Sequence, residues 1–218
     1  MPKASILLTG GSGVLGTELQ KYIECYAPSH ADFDILDVDG NLAKLNVKQY
    51  DIVIHSAAYT DVPGAEIEKK KCFDINVKGT LRLLQAFPSA FFVYISSEYA
   101  NKPMNYYSWT KLWGEEMVEK SLSPYLIVRT LFKPNPFPYE YAFFDQYTTG
   151  DYVDVIAPMI VKEIMKGSKK DNGLHRREMI SLGTGRKTMF ELARRTKPNI
   201  KAITIDDVKG VVLPKDYK

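Results

Sequence analysis

The sequence predicts an α/β fold, a doubly wound parallel sheet with a small C-terminal portion appended. Three observations carry this. An apolar run at residues 5–8 leads straight into Thr9-Gly10-Gly11-Ser12-Gly13-Val14-Leu15-Gly16, and an amphipathic stretch over residues 17–24 follows. Near-continuous apolar runs recur at residues 51–55 and 91–95, the pattern of strands buried on both faces. Helix-period segments at residues 66–86 and 106–120 separate such runs, and strands alternating with helices pair in parallel through right-handed crossovers.

Taken in order, residues 5–9 form the first strand, and the turn after it has the build of a phosphate-binding device. Gly10 can turn the chain sharply, Gly13 leaves room for a pyrophosphate, and Gly16 lets the new helix pack close. Val14 and Leu15 lie in its first turn, where unpaired N–H groups favour an anion. The spacing is G-x-x-G-x-x-G, and its place directly after a strand makes the fold Rossmann-type. A weaker strand is expected at residues 25–27. Residues 51–56 give the third strand, and 90–97 the fourth, ending in Ser96-Ser97. The helix at 106–120 leads to a fifth strand at 125–130.

Beyond Thr130 the texture changes. Pro134, Pro136 and Pro138 break regularity and alternate with Phe132, Phe137, Tyr139 and Tyr141. A helix follows at 153–166, with Asp151 or Asp154 placed to cap its start and Gly167 to end it. A strand (179–182), a helix (189–195) and a last strand (201–205) close the chain. Residues 1–131 are therefore expected to form a dinucleotide-binding core. Residues 132–218 are expected to form a small substrate-binding portion, partly packed back on it.

Composition narrows the class. The 218 residues are 45% hydrophobic and 25% charged, ordinary values for a globular chain. A net charge of +3 argues against a dedicated nucleic-acid binder. The charge is uneven, with fifteen Lys or Arg against nine Asp or Glu from Asp151 onward. That excess reads either as solvated surface or as attraction of an anionic substrate. No stretch approaches the ~20 apolar residues that span a bilayer, and Met-Pro-Lys before a core strand is no signal peptide. Cys25 and Cys72 stand far apart, as in a reduced, cytoplasmic protein. No carboxylate cluster has metal-ligand spacing, so no metal ligand is assigned, and a requirement for a divalent cation is left open.

The second chemical signal is Tyr107-Ser108-Trp109-Thr110-Lys111. Residues four apart share a helix face, so the phenol and the ammonium can address one site. A lysine cation beside it is expected to lower the tyrosine pKa toward the acid–base range. The pair begins the helix after the strand that ends in Ser96-Ser97, and open parallel sheets bind ligands at that carboxyl edge.

These residues resemble the extended short-chain dehydrogenase/reductases, in which T-G-x-x-G-x-x-G, a serine or threonine ending the fourth strand, and Y-x-x-x-K occur together. Finer blocks resemble the dTDP-4-dehydrorhamnose reductase branch. Ala57-Ala58-Tyr59-Thr60-Asp61-Val62 and Gly64-Ala65-Glu66 are similar to its A-A-Y-T-x-V-D-x-A-E. Asn76-Val77-Lys78-Gly79-Thr80 is similar to N-V-x-G-T, Tyr94-Ile95-Ser96-Ser97-Glu98-Tyr99 to Y-I-S-T-D-Y, and Lys111-Leu112-Trp113-Gly114-Glu115 to K-L-x-G-E. Asp34-Ile35-Leu36-Asp37 resembles L-D-I-T-D, whose first aspartate lies near the adenine. Family members run some tens of residues longer, and the segment between Ser97 and Tyr107 is shorter than their loop. Where an acidic residue would hold the adenosine ribose, this chain has Ser29-His30. Without a carboxylate there a 2′-phosphate is not repelled, which favours NADP(H) over NAD(H); an ordinary polar loop is the other reading.

The resemblance implies a reductase of a nucleoside-diphosphate 4-keto-6-deoxy sugar. Hydride would go to C4, with Tyr107 as proton donor, Ser97 bonding the same oxygen, and Lys111 holding the ribose. The cofactor would lie over Gly10, Gly13, Val14, Leu15 and Gly16, its adenine near Asp34 and Ile35, with Ala57, Ala58 and Tyr59 lining it. Asn76 would be either a cofactor contact or a structural helix residue. A homodimer is left open. Two other readings stand beside this one: a sugar-nucleotide epimerase or dehydratase that recycles NAD, and a non-catalytic NADP-binding regulatory module.

Overall fold

Alternate residues of a strand face opposite layers, so a strand apolar throughout needs cover on both sides. The computed structural model of the protein, which describes residues 4–38, 40, 50–166 and 176–216, shows both sides covered. Strands β1 (Ile6–Thr9), β2 (Ile52–His55), β3 (Phe91–Ile95), β4 (Tyr125–Arg129) and β5 (Arg177–Ser181) form one sheet in that order. Every pairing is parallel, with Leu8 opposite Ile54, Ile54 opposite Val93 and Tyr94 opposite Ile127.

One face presents Leu8, Ile54, Val93, Leu126 and Val128 to helices Val14–Leu19 and Val153–Lys166. The other presents Leu7, Val53, Phe92, Tyr94 and Ile127 to helices Thr80–Ala86 and Tyr106–Lys120. The doubly wound sheet expected from the sequence is thus present.

The weak strand at 25–27 is reduced to one parallel bridge, Leu7 with Tyr26. Tyr26 N–H donates to the Ile6 carbonyl and Leu8 N–H to the Tyr26 carbonyl, each at 2.8 Å. The chain therefore leaves β1 on one side and returns on the other as β2. That reversal is the topological switch point of an open α/β sheet, and the crevice beyond it opens at the carboxyl ends of β1 and β2.

The long helix expected at 66–86 is broken into Val62–Ile67, Lys69–Phe73, a π-helical turn at Asp74–Gly79, and Thr80–Ala86. The wide turn rolls Asn76 into the interior, where it is 1% exposed. Local π geometry inside a helix usually accompanies such a local demand. The helix at Tyr106–Lys120 matches its expected bounds. Its start is set by a capping box in which Ser108 N–H donates to Asn105 Oδ1 at 2.9 Å and Asn105 N–H to Ser108 Oγ at 3.1 Å.

The C-terminal portion has its own small cluster, Leu131, Phe137, Ala142, Tyr152, Met189 and Leu192 among them. Helix Val153–Lys166 and strand β5 nevertheless belong to the main sheet. Asp151 does not act as a plain helix cap. Its buried carboxylate meets Lys187 at 3.6 Å and Arg195 at 3.1 Å, and accepts from Thr184 Oγ1 at 2.6 Å. Gly167, the expected helix stop, lies outside the described residues. No helix among the described residues is long and apolar enough to cross a membrane.

Candidate active site

The glycine turn is shaped by two demands on its backbone. Gly10 takes φ +72°, and a Cβ there would lie 2.6 Å from the Ala57 nitrogen, so β1 and β2 can end side by side only with glycine at that position. A Cβ on Gly16 would strike the Gly10 carbonyl. Gly13 N–H closes the turn by donating to that carbonyl at 3.0 Å, and helix Val14–Leu19 begins at the next residue. Gln20 Nε2 ties the carbonyls of Gly11 (2.8 Å) and Gly16 (3.0 Å) together from behind.

Beneath the turn, Thr80 Oγ1 donates to the Asn76 carbonyl at 2.8 Å and so accepts from His55 Nε2 at 3.0 Å. His55 Nδ1 then accepts from Thr9 Oγ1 at 2.8 Å. Burial lowers the imidazole pKa to about 3, so the ring stays neutral and in this one tautomer. Its role is to brace the strand ends.

These ends open into a cleft of about 910 Å³. Gly10, Gly13, Val14, Leu15 and Gly16 line one part of it, with His30, Asp34 and Ile35 nearby. Ala57 and Ala58 follow from β2, Ser97 from β3, and Tyr107 and Lys111 from the helix after it. Phe132, Lys133 and Tyr139 contribute the wall from the C-terminal portion.

Three expected cofactor residues are placed otherwise. Ser29 turns away to donate to Asp32 at 2.6 Å. Tyr59 sends its hydroxyl to Glu68 at 2.8 Å. Asn76 is wholly engaged. Its Oδ1 accepts from Tyr59 N–H at 2.8 Å, while Nδ2 donates to the Tyr59 carbonyl at 3.2 Å and to Thr110 Oγ1 at 2.9 Å. Of its two readings, the structural one fits: Asn76 clamps the loop after β2 to the helix that bears Tyr107.

Ser97 is buried and closes the next turn by accepting from Tyr99 N–H at 3.2 Å. Tyr107 stands edge-on to Tyr99, ring centroids 6.1 Å apart. Burial raises its pKa, and a hydrogen bond with Ser97 offsets part of that rise. The expected lowering by lysine is corrected here, because Lys111 is turned elsewhere. Lys111 Nζ donates to the Ile95 carbonyl at 2.8 Å and lies 4.2 Å over the Tyr94 ring. It is 2% exposed, and burial draws its pKa down to about 7, with the Glu115 carboxylate opposing.

One turn beyond Lys111, Glu115 is buried and grips Arg129 through Nε (2.8 Å) and Nη2 (2.5 Å). It also accepts from Ser96 Oγ at 2.5 Å. This fork-to-carboxylate pair fixes the serine beside Ser97. Glu98 does similar work on the other side, accepting from Thr148 Oγ1 at 2.6 Å and Thr149 N–H at 3.0 Å. It thereby anchors the C-terminal portion to the end of β3. Sequence reading missed Glu98, Glu115 and Arg129 as site-building residues. Their only signal was a carboxylate next to Ser97 and another at i+4 from Lys111.

Comparison with known proteins adds three findings. A family model described as the RmlD substrate binding domain matches residues 4–157. Among curated proteins, a dTDP-4-dehydrorhamnose reductase of Aggregatibacter actinomycetemcomitans is 32% identical over 89 residues, 38% of this chain and 30% of the relative. A GDP-6-deoxy-D-mannose reductase of Pseudomonas aeruginosa is 37% identical over 102 residues, 42% of this chain and 33% of the relative. The chain thus matches about a third of the length of each of these relatives. Among solved structures, a dTDP-4-dehydrorhamnose reductase from Bacillus anthracis in complex with NADP superposes with TM-score 0.81 at 23% identity. That match covers 100% of this chain and 89% of the other, a likeness of fold.

Proposed function

The chain belongs to the RmlD substrate binding domain family, and on that premise we propose that it is an NADPH-dependent reductase of a nucleoside-diphosphate 4-keto-6-deoxy sugar. One observation carries the reading. Ser97, Tyr107 and Lys111 reach the same cleft as the glycine turn, at the carboxyl ends of three adjacent parallel strands.

The residues present fit a dinucleotide. The Gly10–Gly16 backbone forms an open cradle without side chains at its closest points, and Ala57 and Ala58 keep the opposite edge small. His30, Asp34 and Ile35 are at hand for the adenosine end. The NADP held by the Bacillus anthracis neighbour supports NADP(H) over NAD(H). When bound, the cofactor supplies hydride to the sugar carbonyl carbon.

The chain supplies the rest. Tyr107 lines the cleft in hydrogen-bond contact with Ser97 and carries a phenol proton that it can give to a forming alkoxide. Ser97 Oγ can donate to the same oxygen, stabilising charge where it develops. Lys111, which lines the cleft while donating to the Ile95 carbonyl, can hydrogen-bond a ribose hydroxyl through its remaining protons. Glu115, Arg129 and Ser96 hold the strand end and the helix in register while this happens.

The test is NADPH oxidation by the full chain against dTDP-, UDP- and GDP-4-keto-6-deoxy sugars. Oxidation is expected with one of them, and Tyr107→Phe should lower turnover by about a hundredfold or more while NADPH affinity holds. No oxidation with any sugar, despite measured NADPH binding, would turn the reading to a cofactor-binding module.

A further inference from the structure

The cleft contains a cation that the proposed reaction has not used. Lys133 ends the two-residue strand Phe132–Lys133, which pairs in parallel with Asp151–Tyr152, so its backbone is anchored to the C-terminal portion. Its side chain is half-buried and lines the cleft. Nζ lies 5.2 Å over the Tyr139 ring.

The other lysines of the cleft have protein partners: Lys71 pairs with Glu68 at 3.2 Å, and Lys111 binds the Ile95 carbonyl. No carboxylate among the described residues lies within ion-pair distance of Lys133. The acids of the paired strand and of the helix that follows it are engaged elsewhere. Asp154 accepts from Asn135 Nδ2 at 2.9 Å, and Asp151 is held by Thr184, Lys187 and Arg195. A half-buried ammonium with only a ring face for company is unfavourable unless an anion completes it. Burial lowers the Lys133 pKa to about 8, and nothing charged nearby opposes that.

We propose that Lys133 is a phosphate-binding residue of this cleft, its ammonium recognising a diphosphate. Both ligands of the proposed reductase carry that group: the dinucleotide in its pyrophosphate bridge and the sugar nucleotide between its sugar and its nucleoside. The proposal rests on the reductase reading for its sugar-nucleotide arm and on the glycine cradle alone for its cofactor arm. Lys133 acts by charge. It touches no reacting atom, and its effect belongs in binding constants and KM, not in the pKa of the proton donor.

The experiment compares wild type, Lys133→Met and Lys133→Arg. NADPH is titrated by protein fluorescence; dTDP, UDP and GDP are then titrated calorimetrically into protein saturated with NADP. Lys133→Met keeps the length of the side chain and removes the charge. It should weaken one of the two ligand types by about tenfold or more, as expected for a charge-assisted hydrogen bond. Lys133→Arg should stay within about threefold of wild type, because guanidinium also binds phosphate. Weakened NADPH assigns Lys133 to the cofactor bridge; weakened nucleoside diphosphate assigns it to the sugar nucleotide. Unchanged affinity for both in Lys133→Met overturns the proposal, as does equal loss in Lys133→Met and Lys133→Arg, since charge then plays no part. Absent sugar reduction by wild type, alongside weaker NADPH binding in Lys133→Met, would refute the reductase reading and uphold Lys133.

Discussion

Replacing Lys111 by methionine should abolish activity and make the protein more stable. Lys111 sits 2% exposed with its pKa at about 7, against an ordinary 10.5. A base with a depressed pKa binds its proton less well in the folded than in the unfolded chain. The unfolded state therefore takes up more protons between those two values, and stability rises with pH across that window. At about 1.4 kcal/mol per unit, the deficit is roughly 5 kcal/mol near pH 6, about 3 at pH 8 and under about 1 near pH 10.

Methionine fills similar space and removes the titration, but leaves the Ile95 carbonyl without its donor, a cost of about 1 kcal/mol. The net gain at pH 8 is then about 2 kcal/mol, which for this chain length raises the thermal midpoint by about 4–8 °C. Urea unfolding of both proteins at pH 7.5, 8.5 and 10 measures it, with NADPH oxidation followed in parallel. The gap in stability should close as pH approaches 10. A Lys111→Met protein less stable than wild type at pH 8, or a gap that does not change with pH, would refute the assignment of a costly buried amine.

Two further outcomes separate scaffold from site. Asn76→Ala should cost about 2–3 kcal/mol in urea unfolding, because the Tyr59 backbone N–H and carbonyl lose their partners, while NADPH affinity stays as in wild type. A selective loss of NADPH affinity with stability unchanged would make Asn76 a cofactor contact after all. Gly13→Val should remove NADPH binding while the far-ultraviolet dichroism keeps its native form. A Cβ at residue 13 meets only the Gly10 carbonyl, at 3.2 Å, and the rest of the branched side chain occupies the cradle. Normal cofactor affinity in that variant would exclude the turn as the pyrophosphate site.

Residues whose meaning depends on local spacing are legible in the amino-acid order itself. The glycines announce the turn because few other residues take φ +72° or tolerate a carbonyl at Cβ distance. Tyr107 and Lys111 fall on one helix face by spacing alone, and the helix bearing them has the expected bounds. The central strands declare themselves through unbroken apolar runs. The strand at 25–27 is legible only in part, since a single bridge needs little pattern to support it.

Residues whose meaning depends on distant partners are not legible in this way. Asn76 looks like any helical asparagine until a π turn rolls it under the loop carrying Tyr59, 17 positions earlier. Lys111 is expected from its spacing to act on the tyrosine four residues before it. The fold instead gives its ammonium to the carbonyl of Ile95 and the ring of Tyr94, on a neighbouring strand. Glu115 and Arg129 are joined across 14 positions, and Glu98 reaches Thr148 across 50.

The amino-acid order by itself determined the class of sheet, the glycine turn after its first strand and the pair of residues that line one cleft, because backbone sterics and helix period act over a few residues. Tertiary structure alone decided which side chains build the cleft, which merely brace it, and where each proton rests. Burial and long-range pairing set those, and neither is written in any local stretch of the chain.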